Sequence, residues 1–261
     1  MKTSNPGGMI QKAAQEQRNP ENQLISLIET MKPGIEKALP SFLGTERFIR
    51  MAVSAVRTNP KLAQCSQMSF LAAMMTAAQL GLEPNTPLGQ AYLIPYMNKG
   101  NLEVQFQLGY KGLIDLVYRS GEVVSIQAHC VYENDEFEFE YGIAPKLRHK
   151  PAAGEKGKLR GCYAVYHTKN GGYSFEYMTA YELRQHSEKF SKSAQKGYSP
   201  WNTNFEEMAK KTVIKRVLKY APVKADLSRE VAMDGGIRNE LAENMYDVPD
   251  EYIDVSAEPA E

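Results

Sequence analysis

Residues 159–178 read LRGCYAVYHTKNGGYSFEYM. Two runs rich in Tyr, Val and Phe flank Lys169-Asn170-Gly171-Gly172, and an Asn-Gly step readily adopts the positive backbone angles that a tight hairpin turn requires. The spacing predicts antiparallel strands over Leu159–Thr168 and Tyr173–Met178. Upstream the two-residue period recurs. Leu102, Val104, Phe106 and Leu108 alternate with Glu103, Gln105 and Gln107, after an apolar run from Ala91 to Tyr96, so one face is apolar and the other carries amides. Val123–Val131 and Phe137–Tyr141 complete the strand-rich middle, the latter setting Glu136, Glu138 and Glu140 on a solvated face opposite its aromatics.

Outside this middle the period becomes helical. Leu24, Ile25, Leu27 and Ile28 start one helix, Glu46–Arg57 places Phe48, Met51, Ala52, Ala55 and Val56 at helical spacing, and the Ala- and Met-rich Met68–Leu80 is closed by Gly81. Tyr110-Lys111-Gly112 opens a short helix through Arg119, ended by Ser120-Gly121. Downstream, Thr179-Ala180-Tyr181-Glu182 and Thr203-Asn204-Phe205-Glu206 have the form of capping boxes, in which hydroxyl and carboxylate satisfy backbone amides at a helix start. The second of these helices runs to about Tyr220, before Pro222, and Ser187–Trp201 reads as a loop. Helices, then strands, then helices argue for an α+β fold, a central antiparallel β-sheet flanked by helices, rather than a parallel βαβ repeat.

The 261 residues are 43% hydrophobic and 24% charged, enough for a packed core and unlike a disordered, collagen-like or coiled-coil chain. No apolar run approaches the roughly 18 residues of a membrane span, and Lys2, Lys12, Glu16 and Arg18 interrupt the start, so the expectation is a soluble cytosolic protein. Cys65, Cys130 and Cys162 are odd in number and widely spaced, which suggests buried thiols rather than a disulfide framework or zinc site. Charge is unevenly distributed. Met1–Tyr220 holds 28 Lys+Arg against 20 Asp+Glu, and Ala221–Glu261 holds 3 against 11. A basic body with an acidic tail points to a polyanion partner for the body. The expected organisation is a flexible N-terminus over 1–20, one domain over 21–222 and a largely disordered acidic tail over 223–261.

Several chemistries lack their residues. Gly157-Lys158 is followed by Leu159 and preceded by Ala152 where a phosphate loop needs its first glycine, and no dinucleotide fingerprint, His-Glu-x-x-His or Gly-x-Ser-x-Gly is present. The acidic cluster Asp135, Glu136, Glu138 and Glu140 raises a metal-dependent nuclease as an alternative, but no Asp or Glu is followed two residues later by Lys. His129, His149, His167 and His186 are scattered without a partner that would make one a general base. No cofactor, metal or catalytic residue is assigned, and the reading is not an enzyme.

Cations interleaved with aromatics are abundant. Lys146, Arg148, Lys150, Lys156, Lys158 and Arg160 oppose only Glu155 in one window, and Lys189, Lys192, Lys196, Lys210, Lys211, Lys215, Arg216 and Lys219 oppose Glu206 and Glu207 in another. On the last helix Lys211, Lys215 and Lys219 form one stripe, with Phe205, Met208, Val213 and Val217 at apolar positions. Lysines neutralise phosphates without reading bases, so the pattern predicts sequence-independent, salt-sensitive binding of a polyanion. The candidate contacts are Gln107, Tyr110, Lys111, Arg119, Lys192, Lys196, Trp201, Lys210, Lys211, Lys215, Arg216 and Lys219, with Tyr110 and Trp201 shaping the groove or else packing in the core.

Met68–Tyr96 (MSFLAAMMTAAQLGLEPNTPLGQAYLIPY), Gln107–Val123 (QLGYKGLIDLVYRSGEV) and Ser199-Pro200-Trp201 with Glu207–Pro222 (EMAKKTVIKRVLKYAP) resemble the RecT family of phage single-strand annealing proteins. The resemblance implies an ATP-independent protein of homologous recombination, working in a bacterial host cell. It would coat single-stranded DNA left by a 5′→3′ exonuclease and pair it with a complement through an annealed duplex intermediate. It also implies a homo-oligomer, ring or helical filament, and a core similar to that of Red beta and RAD-type annealing proteins. The segment resembling Glu207–Lys219 contributes basic DNA contacts in the lambda counterpart, which by position implies Lys210, Lys211, Lys215 and Arg216. The acidic tail is expected either to dock on a host single-strand-binding protein or to compete for the basic groove. A DNA-binding oligomeric scaffold without annealing activity remains the other alternative.

Overall fold

The structure, a computed structural model, describes residues 19–98, 100–190 and 199–223. Lys192, Lys196, the polar stretch before Asn19 and the acidic segment after Val223 lie outside the described residues. The chain divides into two compact units between Gly112 and Leu113.

The first unit holds helices α1 (Pro20–Thr30), α2 (Lys32–Ala38), α3 (Thr45–Thr58), α4 (Lys61–Gln64) and α5 (Gln67–Leu80), then strands β1 (Ala91–Asn98) and β2 (Asn101–Leu108). Pro20 sits at the first turn of α1 while Asn19 Oδ1 accepts from the Glu21 amide at 3.1 Å, two devices suited to a helix start. Gly81, at φ 60°, ends α5 in the left-handed region. Leu24, Ile28, Ile35, Phe48, Ala52, Val56, Leu62, Phe70, Met74 and Ala77 form the core together with Leu93 and Val104 from the hairpin. The Val104 amide donates to Ser69 Oγ at 2.9 Å and the Ser66 amide to the Leu102 carbonyl at 2.9 Å, tying β2 to the start of α5.

Close backbone approach explains two glycines at the end of this unit. A Cβ on Gly109 would lie 2.2 Å from the Gly89 carbonyl oxygen, and one on Gly112 would lie 2.1 Å from that of Gln90. Only hydrogen fits there. The glycines seat the first turn of helix α6 (Tyr110–Arg119) against the loop before β1.

The second unit is built on a three-stranded antiparallel sheet of β3 (Val123–Tyr132), β6 (Leu159–Thr168) and β7 (Tyr173–Thr179) in the order β3-β6-β7. The expected turn closes β6 and β7, with the Thr168 amide donating to the Gly172 carbonyl at 2.8 Å and Gly171 at φ 80°. Strands β4 (Glu136–Glu140) and β5 (Lys146–Lys150) form a separate antiparallel hairpin. Its Phe137 and Leu147 pack on Tyr163, Val165, Phe175 and Tyr177. The fold is thus α+β with antiparallel ladders, which among the described residues are distributed over three sheets.

Helices α7 (Ala180–Phe190), α8 (Pro200–Thr203) and α9 (Phe205–Leu218) follow. The first capping box forms: Glu182 accepts from the Thr179 amide at 2.8 Å and Thr179 Oγ1 from the Glu182 amide at 3.2 Å. The second does not. Thr203 lies in α8, and Asn204 becomes the cap of α9 without a side-chain bond to the helix amides.

Candidate nucleic-acid interface

Helix α9 buries Ala209, Thr212, Val213, Val217 and Leu218. Glu176, opposite Ala164 in the β6–β7 ladder, meets Arg216 of α9 at 2.9 Å, which identifies the sheet face the helix covers. The hairpin covers the other face, where Tyr163 and Val165 point. Small side chains such as Ala164 and Ala209, both fully buried, let helix and sheet approach closely.

The cations of α9 emerge beside this seam. Lys210, Lys211 and Lys215 are half-buried, and Arg216 and Lys219 are exposed. Lys210 Nζ lies 2.7 Å from Glu207 Oε1, and this hydrogen bond holds its ammonium above the ordinary lysine range. Glu206 and Glu207 in the first turn and Lys215 and Arg216 in the last also complement the helix dipole. Exposed pairs of this kind contribute about 0–1 kcal/mol each, so a phosphate can displace Glu207, itself 73% exposed, at little cost.

Trp201 is only 6% exposed, with its ring against Phe205 at 5.5 Å and His186 at 6.1 Å. It therefore anchors the entrance to α9 as a core residue. Ser199 Oγ accepts from its amide at 3.3 Å. Arg119, also in the second unit, is bound to Asp115 one turn earlier on α6.

In the first unit Gln107 stands opposite Tyr92 across the β1–β2 ladder. Tyr110 is half-buried and Lys111 exposed at the start of α6. The Tyr92 hydroxyl and the Lys111 side chain both reach over Gly89, at 3.0 Å and 3.8 Å from where a Cβ would stand. The predicted contacts are thus divided, Gln107, Tyr110 and Lys111 in one unit and the α9 cations, Arg119 and Trp201 in the other.

The cation window expected between Lys146 and Arg160 is largely paired within the fold. Lys146, Arg148 and Lys150 stand opposite Glu140, Glu138 and Glu136, with Lys150 2.8 Å from Glu136, while Lys156 lies 5.1 Å above the Tyr132 ring. The glutamates are solvated as expected, but the run that follows them is their counter-strand. Asp135 is buried. Its carboxylate accepts from the amides of Tyr132 (2.7 Å) and Ala152 (2.9 Å) and meets His149 Nε2 at 3.1 Å. Burial works against its charge, yet these bonds prevail and hold the carboxyl below its usual range. Among the described residues no group of three His, Cys, Asp or Glu is placed to hold a metal, and no helix is long and apolar enough to cross a membrane.

The RecT family profile matches residues 46–248, well over half of the chain. The protein belongs to the RecT family. Protein RecT of Escherichia coli (strain K12) is 43% identical over 219 residues, covering 82% of this chain and 80% of that one. The uncharacterized protein YqaK of Bacillus subtilis (strain 168) is 29% identical over 212 residues, covering 80% and 72%. RecT membership makes this a recombination-related annealing protein. The segments that carry the likeness in sequence are α5 with β1, the end of β2 with α6, and α8 with α9, which in this RecT-family fold include every described candidate contact. Within their own units, Tyr92 and Glu176 come beside candidate contacts through the fold. Glu207 was signalled by its i, i+3 spacing to Lys210, whereas nothing in the sequence links Glu176 to Arg216.

Proposed function

We propose that this protein binds single-stranded DNA through its phosphates and anneals it to a complementary strand without ATP, as a homo-oligomer. The observation that carries the reading is α9, a helix locked onto the sheet by its small and β-branched face while Lys210, Lys211, Lys215, Arg216 and Lys219 emerge at the rim. Lys111 and Arg119 add phosphate contacts from their own units. A cationic surface repeated along an oligomer lowers the repulsion between two polyanions without contacting base edges, so Watson–Crick pairing supplies the specificity. No bond is made or broken by the protein, so the reading is not enzymatic and invokes no cofactor. The partners proposed are a 5′→3′ exonuclease that exposes the strand and the host single-strand-binding protein, in the bacterial cytoplasm.

The test mixes purified protein with a labelled oligonucleotide and either its complement or a scrambled strand, without ATP, at low and high salt. Faster duplex formation with the complement alone, slowed by salt, is expected. Binding without acceleration reduces the protein to a DNA-binding scaffold, and divalent-dependent loss of label replaces annealing with nuclease chemistry.

A further inference from the structure

The outward face of the β1–β2 hairpin is not used by the phosphate contacts above. Register sets Tyr92 opposite Gln107, Ile94 opposite Gln105 and Tyr96 opposite Glu103 on this face, while Leu93 and Val104 on the other enter the core. A sheet that packs one face against a helix normally presents polar residues on the other. Here the near end offers a half-exposed tyrosine ring, 37% accessible, beside two glutamines. Among the described residues, charge on the face is confined to Glu103, whose carboxylate accepts from the Tyr96 hydroxyl at 3.0 Å and the Asn98 amide at 3.3 Å. Lys111 borders the Tyr92 end, its stem and the tyrosine hydroxyl converging over Gly89.

We propose that this face is a stacking platform for unpaired bases, with Tyr92 supplying the ring and Lys111 meeting an adjacent phosphate. The proposal rests on the single-strand reading above and extends it from phosphates to bases. An aromatic ring on an open sheet face takes any base by its π-surface. Stacking occupies the face of the base and leaves its pairing edge free, which is the state a strand must hold while a complement is tested. Among the described residues Lys111 is the cation at its border, and a neutral ring flanked by amides fits a nucleotide better than an acidic peptide, which calls for several cations. It fits an apolar protein surface poorly, because the flanking residues are Gln105 and Gln107.

The experiment compares oligothymidylate with an abasic strand of equal length and charge, using the full chain, its Tyr92→Leu variant and its Tyr92→Phe variant. Wild type is expected to hold oligothymidylate about tenfold tighter than the abasic strand, Tyr92→Leu to remove that advantage while binding the abasic strand unchanged, and Tyr92→Phe to restore it. Equal wild-type affinity for the two strands overturns the platform and leaves the phosphate reading standing. Failure of wild type to bind either strand overturns both readings. Equal weakening of both strands by Tyr92→Leu, or a Tyr92→Phe variant as defective as Tyr92→Leu, makes Tyr92 a packing residue and also overturns the platform.

Discussion

Removing charge from α9 tests the phosphate reading at its centre. Lys211 and Lys215 sit four residues apart, about 6 Å along the helix axis, and both are half-buried. Glutamine is therefore the replacement of choice, since it keeps much of the packed stem and deletes the ammonium. The buried anchors Ala209, Thr212, Val213 and Val217 are untouched, so Lys211→Gln/Lys215→Gln should fold as wild type by circular dichroism. Each phosphate neutralised on a single strand contributes about 0.7 to the slope of log affinity against log salt, so losing two flattens the slope by about 1.4. Counterion release vanishes near a reference of about 1 M salt, and at about 0.1 M the same two contacts amount to about 1.4 log units, or about 25-fold in Kd. Fluorescence anisotropy with labelled oligonucleotides of several sequences, titrated across salt, reads both quantities. The loss should be uniform across sequences. A folded double variant with unchanged affinity and unchanged slope would refute the assignment of α9 to DNA.

Two further outcomes concern the scaffold. Asp135→Asn leaves the Tyr132 and Ala152 amides and His149 facing a neutral group that accepts less well, and should cost about 3 kcal/mol in thermal or denaturant unfolding. Because the Asp135 carboxyl is held below its usual range, its stabilisation is full above about pH 4 and is lost as pH falls through the lower folded value. Wild type should thus show a steeper acid loss of Tm than Asp135→Asn, and identical acid limbs would sink the account. Gly112→Ala places a methyl 2.1 Å from the Gln90 carbonyl oxygen, whereas Gly154→Ala meets nothing within 4 Å. The first should unfold the chain or lower its Tm by many degrees and the second should leave Tm within a degree or two. Equal melting temperatures for the two would contradict the close approach.

Local patterns were enough for much of this protein. The alternation of Leu102–Leu108, the Asn170-Gly171 turn, the Gly81 stop and the Thr179–Glu182 cap each depend on residues within a few positions of one another, and each recurs in the fold. The lysine stripe of α9 was legible for the same reason, since helical spacing puts i and i+4 on one face. Tertiary structure alone decided what those charges meet. Lys146, Arg148 and Lys150 look like a polyanion surface in sequence, but the β4–β5 register sets a glutamate opposite each. The ladder likewise sets Tyr92 opposite Gln107 across fifteen positions of chain, although Ala91–Tyr96 reads as one continuous apolar run whose pattern marks no outer face. Trp201 became a core residue because Phe205 and His186 close around it. A strand's period tells which side chains share a face, but the face that is covered depends on which distant element folds onto it, and that is a matter of packing rather than of local propensity.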